Sequence, residues 1–454
     1  MGSPIEFTDA PGLASHLQQV TESADSASRS VYLLEGLSRD FVAVFGQHFN
    51  LHPSLFMDHE RLVPCADRMT GENGGLPTLP SAIIHEDHIA LKYHEPLSFS
   101  KHPTKFRCVC ESSGRHIAIT RIMGKFSNVG IARRKCTFWS TTTKAGGWTS
   151  LIICDPPIRR LLANSSGTLS HPVETSPYEA GYIDFRPLKD QLKTRCGPPR
   201  TSLLDDILFY IQNVSEETDL AHPRFLRVFV EKLIASHYLK LARFLQTNVE
   251  KVQWHFSRRQ DLASFDISTS EEQWSDVQAW ERRLAEYQDD LEGIMIQLGV
   301  PLVNSHESSQ AEFSADSRAD FQYLWFRYRE IRQRVNMLAS AVTTLANLAG
   351  NRAVFRTAEL QLKEAEHAGR GARSVKMLTT LGLIFLPLSF AASIFSMSDK
   401  FAPGGSDFWV YFAVSLPLLG LVVFVSLVAE LGFKDSETQW SFSVVLSKVR
   451  ERFT

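Results

Sequence analysis

Seven residues at alternating steps of four and three, Val375, Thr379, Gly382, Leu386, Ser389, Ser393 and Ser396, fall on one face of a helix and bring four hydroxyls to it. A stripe of hydroxyls and small residues inside an apolar segment has two uses. It lets a second helix approach closely, or it lines a path along which polar cargo trades water for hydroxyl oxygens. Periodicity leaves both open. In a ring of identical helices with this stripe on the axis both hold at once, and Val375 and Leu386 become narrow apolar collars able to gate by dewetting.

Other chemistry-bearing clusters carry weaker signals. His85-Glu-Asp-His88, with His94 nearby, lacks the spacing of a helical zinc motif, because Ile89 stands where the second histidine belongs. These side chains are expected to face solvent. Glu216, Glu217 and Asp219, and again Asp289, Asp290 and Glu292, offer hard carboxylate oxygens suited to Mg²⁺. Taken singly, each cluster reads as a solvated helix face. Cys108 and Cys110 alternate in a strand-like run, so they are expected to share a sheet face as reduced thiols rather than to hold a metal. Walker A, nucleophile-elbow, kinase and dinucleotide fingerprints are missing from the sequence, which argues against an ATP-driven pump and against an enzyme.

The stripe lies in the first of two apolar runs. Met377 to Phe395 holds 19 residues without a charge, and Phe408 to Ala429 holds 22. Each is long enough to cross a hydrocarbon core of about 30 Å as a helix. Pro387 and Pro417 are tolerated in such spans when neighbouring groups satisfy the freed carbonyls. Arg370, Arg373 and Lys376 precede the first run, and Lys434, Lys448, Arg450 and Arg452 follow the second. The loop between them holds Lys400 alone, beside Asp399 and Asp407. The positive-inside rule therefore expects both termini in the cytosol. The first residues have neither the apolar core of a secretory signal nor the Arg-rich, acid-poor character of a transit peptide. That expectation points to the plasma membrane or an endomembrane and away from mitochondria.

The chain of 454 residues has room for two or three domains. Its 48 Lys and Arg against 50 Asp and Glu give a net charge of -2, which excludes nucleic-acid binding through a global basic field. Val31-Tyr-Leu-Leu34 reads as a strand, and Ser38 as the N-cap of a helix that Asn50-Leu-His-Pro53 ends. Residues 60 to about 160 read as strand-rich, with a turn signal at Ala145-Gly146-Gly147 and a stop at Asp155-Pro-Pro157. The Pro/Ser/Gly-rich stretch over 163–201 reads as a long irregular connection. Beyond Thr201 the spacing turns helical. From Asp316 one segment carries Leu324, Tyr328, Ile331, Val335, Leu338, Val342 and Leu345 at steps of four and three, a heptad seam that implies a packed bundle of long helices. Gly350, Gly369 and Gly371 are possible bend points in it. Unbroken into the first span, it is a stalk on the order of 120 Å long, which suits an oligomer.

The expected fold is an α+β cytosolic domain followed by a long helical stalk and two C-terminal transmembrane helices. Its parts are an α/β domain at 1–200, a cytosolic helical region at 201–315, a stalk helix at 316–376, a first span at 377–396, an outer loop at 397–407, a second span at 408–430 and a cytosolic tail at 431–454.

Lys376-Met-Leu-Thr379 and Ile384-Phe-Leu-Pro-Leu-Ser-Phe390 closely resemble the first span of the CorA-type magnesium transporter superfamily, in its divergent fungal-like form. Phe395-Ser396-Met397-Ser398 falls without gaps on the family's Tyr-Gly-Met-Asn signature. Leu33-Leu-Glu-Gly-Leu37 and His52-Pro53 are similar to its N-terminal domain. The resemblance is close over about 316–430 and looser over the first 300 residues. It implies a homo-oligomer, pentameric in the family, that moves divalent cations passively across a lipid bilayer, Mg²⁺ foremost. It implies no cofactor besides that cation, which is both the transported ion and a regulator at carboxylates between subunits. The outer selectivity mouth is then expected at Ser396, Met397, Ser398 and Asp399, and the pore lining at Thr379, Gly382, Ser389 and Ser393. Leu378 joins Val375 and Leu386 in the hydrophobic gate on the resemblance alone.

The departure from the family pattern lies at the mouth, where only Met397 of Gly-Met-Asn remains. In the family the Asn side chains and nearby carbonyls form a ring that accepts a hydrated cation. Ser398 is shorter, so its ring is wider and a weaker acceptor, and Ser396 replaces a turn-forming glycine. Two readings stand. Asp399 and Asp407 take over cation attraction as an acidic ring partly offset by Lys400, or the chain keeps the fold as a transport-inactive membrane-anchored scaffold.

Overall fold

A computed structural model of the chain describes residues 3–23, 28–60, 79, 87–100, 107–122, 125–143, 146–162, 170–179, 181, 183–186, 202–214, 222–258, 267–301, 317–397, 405 and 407–433. Two compact units divide it, Met1–Ala349 and Gly350–Thr454.

The first unit centres on a nine-stranded sheet of β1 (Arg29–Glu35), β2 (His88–Phe99), β3 (Arg107–Cys110), β4 (His116–Ile122), β5 (Lys125–Thr142), β6 (Trp148–Cys154), β7 (Arg160–Leu162), β8 (Ser170–Pro172) and β9 (Thr175–Pro177). The 18-residue β5 organises it. Along one edge it runs antiparallel to β2, and on its other it meets β4 near its start and β6 from Cys136 onward. The outer strand β1 adds to β6 in parallel. Gly130 in β5 sits where strands and core close in. A Cβ there would come within 2.6 Å of Phe99 Cε2 and 3.1 Å of Ile117 Cγ2, so only glycine fits without displacement.

Alternation along the strands separates two cores. Trp148, Ile152 and Cys154 of β6 join a large cluster with the helices α4 (Leu203–Gln212), α5 (Arg224–Arg258), α6 (Ile267–Gln297) and the start of α7 (Arg318–Phe395). Leu151 and Ile153 point the other way, into a cluster with α1 (Ala10–Ser23), α2 (Arg39–Phe49) and α3 (Ser54–Glu60). Cys108 and Cys110 are both buried in a third cluster at the β3–β4 end, on one face as their spacing indicates. Cys65 and Cys196 lie outside the described residues.

Local signals mostly act as read. Asn50 closes α2 in the left-handed region at φ 50°. Ser38 occupies the N-cap position but makes no side-chain capping bond, whereas Ser202 Oγ accepts from the Asp205 N–H at 3.1 Å and caps α4. The stretch read as an irregular connection holds β8, paired with β7, and β9, paired with β2. The sheet also continues past Asp155-Pro-Pro157 into β7.

Two expectations of exposure are corrected. His88 and His94 are buried, because β2 is covered on both faces. Asp290 is no solvated carboxylate: it lies against β2, paired with Lys92 Nζ at 3.2 Å and His94 Nε2 at 2.9 Å. His85, Glu216, Glu217 and Asp219 lie outside the described residues.

The heptad seam of α7 forms the expected bundle within one chain. Leu324, Tyr328, Ile331, Val335 and Leu338 are buried with α5 and α6, Val342 is buried as well, and the Tyr328 hydroxyl donates to the Tyr238 carbonyl at 2.9 Å. These side chains are already occupied, so they do not hold a ring of copies together.

The second unit contains the remainder of α7, from Gly350, and α8 (Phe408–Phe433). Gly350, Gly369 and Gly371 leave α7 unbroken. Both helices carry segments long and apolar enough to cross a membrane. Pro387 and Pro417 lie inside them.

Candidate functional site

Within the second unit, α8 covers one face of the first apolar segment. Ala391 is buried against it, and Pro387 lies on the same side with Leu383 and Phe395 partly covered. The Tyr411 hydroxyl donates to the Leu388 carbonyl at 3.4 Å, and the Tyr411 ring meets Phe395 edge-on. Ser415, also buried, donates to the Tyr411 carbonyl at 2.6 Å and so satisfies its own hydroxyl within apolar surroundings.

The stripe points elsewhere. At 100° per residue it is centred roughly 150° around the helix from the covered face. Thr379, Gly382, Leu386, Ser389, Ser393 and Ser396 are all exposed in the single chain, as are Val375 and Leu378. The Thr379 hydroxyl donates to the Val375 carbonyl at 2.8 Å, and Ser389 to the Leu386 carbonyl at 3.0 Å. Both hydroxyl protons are therefore directed back into the helix, and oxygen lone pairs remain for whatever meets this face. Met397, at the helix end, is 88% exposed. Ser398 and Asp399 lie outside the described residues, so of the expected mouth the structure describes Ser396 and Met397.

The family model described as CorA-like Mg²⁺ transporter protein matches residues 203–433, from the start of α4 to the end of α8. The chain belongs to this family. Membership carries divalent-cation transport in general, with Mg²⁺ as the family's substrate ion, and it accords with the two helices long and apolar enough to cross a membrane. The complete structure of the CorA magnesium transporter from Methanocaldococcus jannaschii is similar over 87% of this chain and 89% of that one, at 10% sequence identity and a TM-score of 0.33. Curated proteins give no match.

In this CorA-like chain Asp290 and Glu292 are engaged by neighbouring side chains, whereas Asp289 beside them is exposed. Burial would raise the Asp290 pKa, but the hydrogen bond and charge of His94, with Lys92, hold it below the usual carboxylate range. Glu292 accepts from Trp325 Nε1 at 2.8 Å and Gln288 Nε2 at 3.2 Å. Among the described residues no group of three or more His, Cys, Asp or Glu side chains is arranged to hold a metal ion. Sequence reasoning missed Tyr411, which reaches the first span, and Ser415, which bonds back to the Tyr411 carbonyl within α8. Their signal was the presence of two polar side chains four apart in an otherwise apolar run.

Proposed function

We propose that this CorA-like chain assembles as a homo-oligomer, a pentamer as its family resemblance implies, and conducts Mg²⁺ passively along an axis lined by the first span. The observation that carries the reading is the division of that span: α8 occupies one face and leaves the hydroxyl stripe uncovered. Hydroxyls and a glycine facing lipid would gain nothing, whereas on a shared axis their oxygens stand in for water around a cation. A membrane potential of 100 mV supplies about 4.6 kcal/mol for each divalent ion, enough to drive uptake without ATP.

The stretch of α7 ahead of the membrane supports the same assembly. Val354, Phe355, Leu360 and Leu362 are each more than 60% exposed in the single chain, a density of apolar surface that calls for cover. Phe355 and Leu362 stand one heptad apart with Ala358 and Ala365 beside them, a spacing at which identical helices pack together. In this reading 316–376 is the stalk, 377–396 and 408–430 are the spans, 397–407 is the outer loop, and both termini are cytosolic. Val375, Leu378 and Leu386 form the gate. Thr379, Gly382, Ser389 and Ser393 line the pore, and Ser396, Met397, Ser398 and Asp399 form the mouth.

The test is uptake of Mg²⁺, Zn²⁺, Ni²⁺ and Co²⁺ into liposomes carrying the purified protein, beside the double variant Ser396→Gly/Ser398→Asn. Flux in the unaltered protein with a changed ion order in the variant is the expected result. No flux in either protein refutes the channel. Flux only in the variant would make the natural chain a transport-inactive scaffold, a reading favoured by the loss of Gly and Asn from the signature.

A further inference from the structure

Pro387 divides the first span into two halves that are held differently. It has no N–H to give the Leu383 carbonyl one turn back, so α7 is held there by one hydrogen bond fewer. After the proline the span is seated on α8. Leu388 and Phe395 are partly covered, and Ala391 is 3% exposed. Tyr411 supplies two of the contacts: its hydroxyl donates to the Leu388 carbonyl, and its ring meets Phe395 edge-on with 6.2 Å between centroids. Phe408 stacks on the same ring at an interplanar angle of 11°. Ahead of the proline the seating ends. Leu383 is partly covered, and every residue from Met377 to Gly382 is exposed in the single chain.

The same boundary divides the roles given to this span. Val375, Leu378 and Leu386, the gate residues, all precede Pro387. Ser389, Ser393 and the mouth from Ser396 onward all follow it.

We propose that Tyr411 is a positioning residue for the permeating ion: it pins the half of the first span after Pro387 to α8, so that bending of α7 is taken up at the proline and moves the gate without disturbing the oxygens beyond it. The consequence for the ion rests on the channel reading; the pinning itself rests on the contacts of α8.

A proline opens a helix on the face that carries its ring. Here that face is turned toward α8, where Pro387 is buried. On the stripe side the Ser389 hydroxyl reaches back over the proline to the Leu386 carbonyl at 3.0 Å and ties the two halves together. A bend at this point therefore opens toward α8. Tyr411 bonds the first residue past the hinge on that side, where it keeps the opening from running into the next turn. Tyrosine suits the position, since its ring fills an apolar contact while its hydroxyl finds a backbone acceptor in surroundings without water.

The experiment compares the full-length protein with Tyr411→Phe, which keeps the ring and removes the hydroxyl, and each of these again with Pro387→Ala. Mg²⁺ influx into proteoliposomes is measured against Mg²⁺ concentration. Amide hydrogen exchange is followed in lipid nanodiscs on the peptides before and after residue 387. Tyr411→Phe should raise the half-saturating Mg²⁺ concentration roughly two- to fivefold, the worth of one long neutral hydrogen bond, at an unchanged maximal rate. Exchange should rise by the same factor after the proline and stay level before it. With Pro387→Ala the restored N–H holds the two halves in line, and Tyr411→Phe should then change neither reading. Equal exchange in wild type and Tyr411→Phe overturns the proposal, as does an effect of the same size beside Pro387→Ala. A lower maximal rate at unchanged half-saturation marks a merely structural role and overturns it too. Should the wild type carry no Mg²⁺, the channel reading falls by itself, and exchange still decides whether Tyr411 pins the span. Should Pro387→Ala fail to fold, the comparison of wild type with Tyr411→Phe decides.

Discussion

Replacing Asp155 with asparagine removes one charge from the centre of the sheet while keeping its shape. The carboxylate is 3% exposed and takes hydrogen bonds from Arg115 Nε at 2.5 Å and the Lys135 N–H at 2.7 Å, with His59 Nε2 at 3.3 Å. Burial alone would raise its pKa, but His59 and Arg115 outweigh it and hold the group at about 2 against an ordinary 3.8. That gap corresponds to roughly 2.5 kcal/mol of folding stability, fully present above pH 3.8 and lost as pH falls through 2. Asparagine also leaves Arg115 buried beside no counter-charge, which brings the expected loss at neutral pH to about 3–4 kcal/mol. At about 2 °C per kcal/mol for a domain of this size, the thermal midpoint of the full chain should fall by roughly 6–8 °C. Thermal unfolding followed by tryptophan fluorescence in detergent reads it. Pairing Asp155→Asn with Arg115→Met should recover part of the loss, since the stranded cation is then gone as well. A shift below about 1 kcal/mol, or no coupling between the two sites, would refute the view that these charges depend on one another.

Gly130→Ala should lower the same midpoint by about 1–3 kcal/mol worth of stability, because its Cβ meets Phe99 Cε2 at 2.6 Å. Leu386→Asn should raise ion leak through the proteoliposome membrane with the thermal midpoint unchanged, and equal flux would remove Leu386 from the gate. Phe355→Ser with Leu362→Ser should leave the α5–α7 bundle intact and reduce oligomer mass in size-exclusion light scattering. An unchanged oligomer would show that other surfaces assemble it.

Elements with strong periodicity could be read directly. The α7 seam from Leu324 to Val342 and the two apolar segments declared themselves through spacing and length, β1 and the strand-rich stretch that holds β4 and β6 through composition, and β3 through the alternation of Cys108 and Cys110. What stayed hidden was set by contacts far apart in sequence. His94 and Asp290 looked like surface groups because neither shows its partner locally, yet they meet across 196 residues. The strands β8 and β9 are three residues each, too short for a periodic signal, and exist because β7 and β2 offer them edges. At the candidate site the stripe was legible, but the choice between packing face and exposed face was not. That depended on which side α8 takes, which the contacts of Tyr411 with Leu388 and Phe395 reveal.

The first span divides its labour by face, and this gives the chain an evolutionary latitude. Pro387, Ala391 and the Tyr411 contact keep the helix pair together on one side, and nothing on that side depends on what stands at Ser396 or Ser393. Substitutions along the hydroxyl stripe leave the hairpin's own packing untouched. A duplicated copy can therefore drift along this stripe while keeping its two helices together, since the positions that change and the positions that pack stand on opposite sides of one helix.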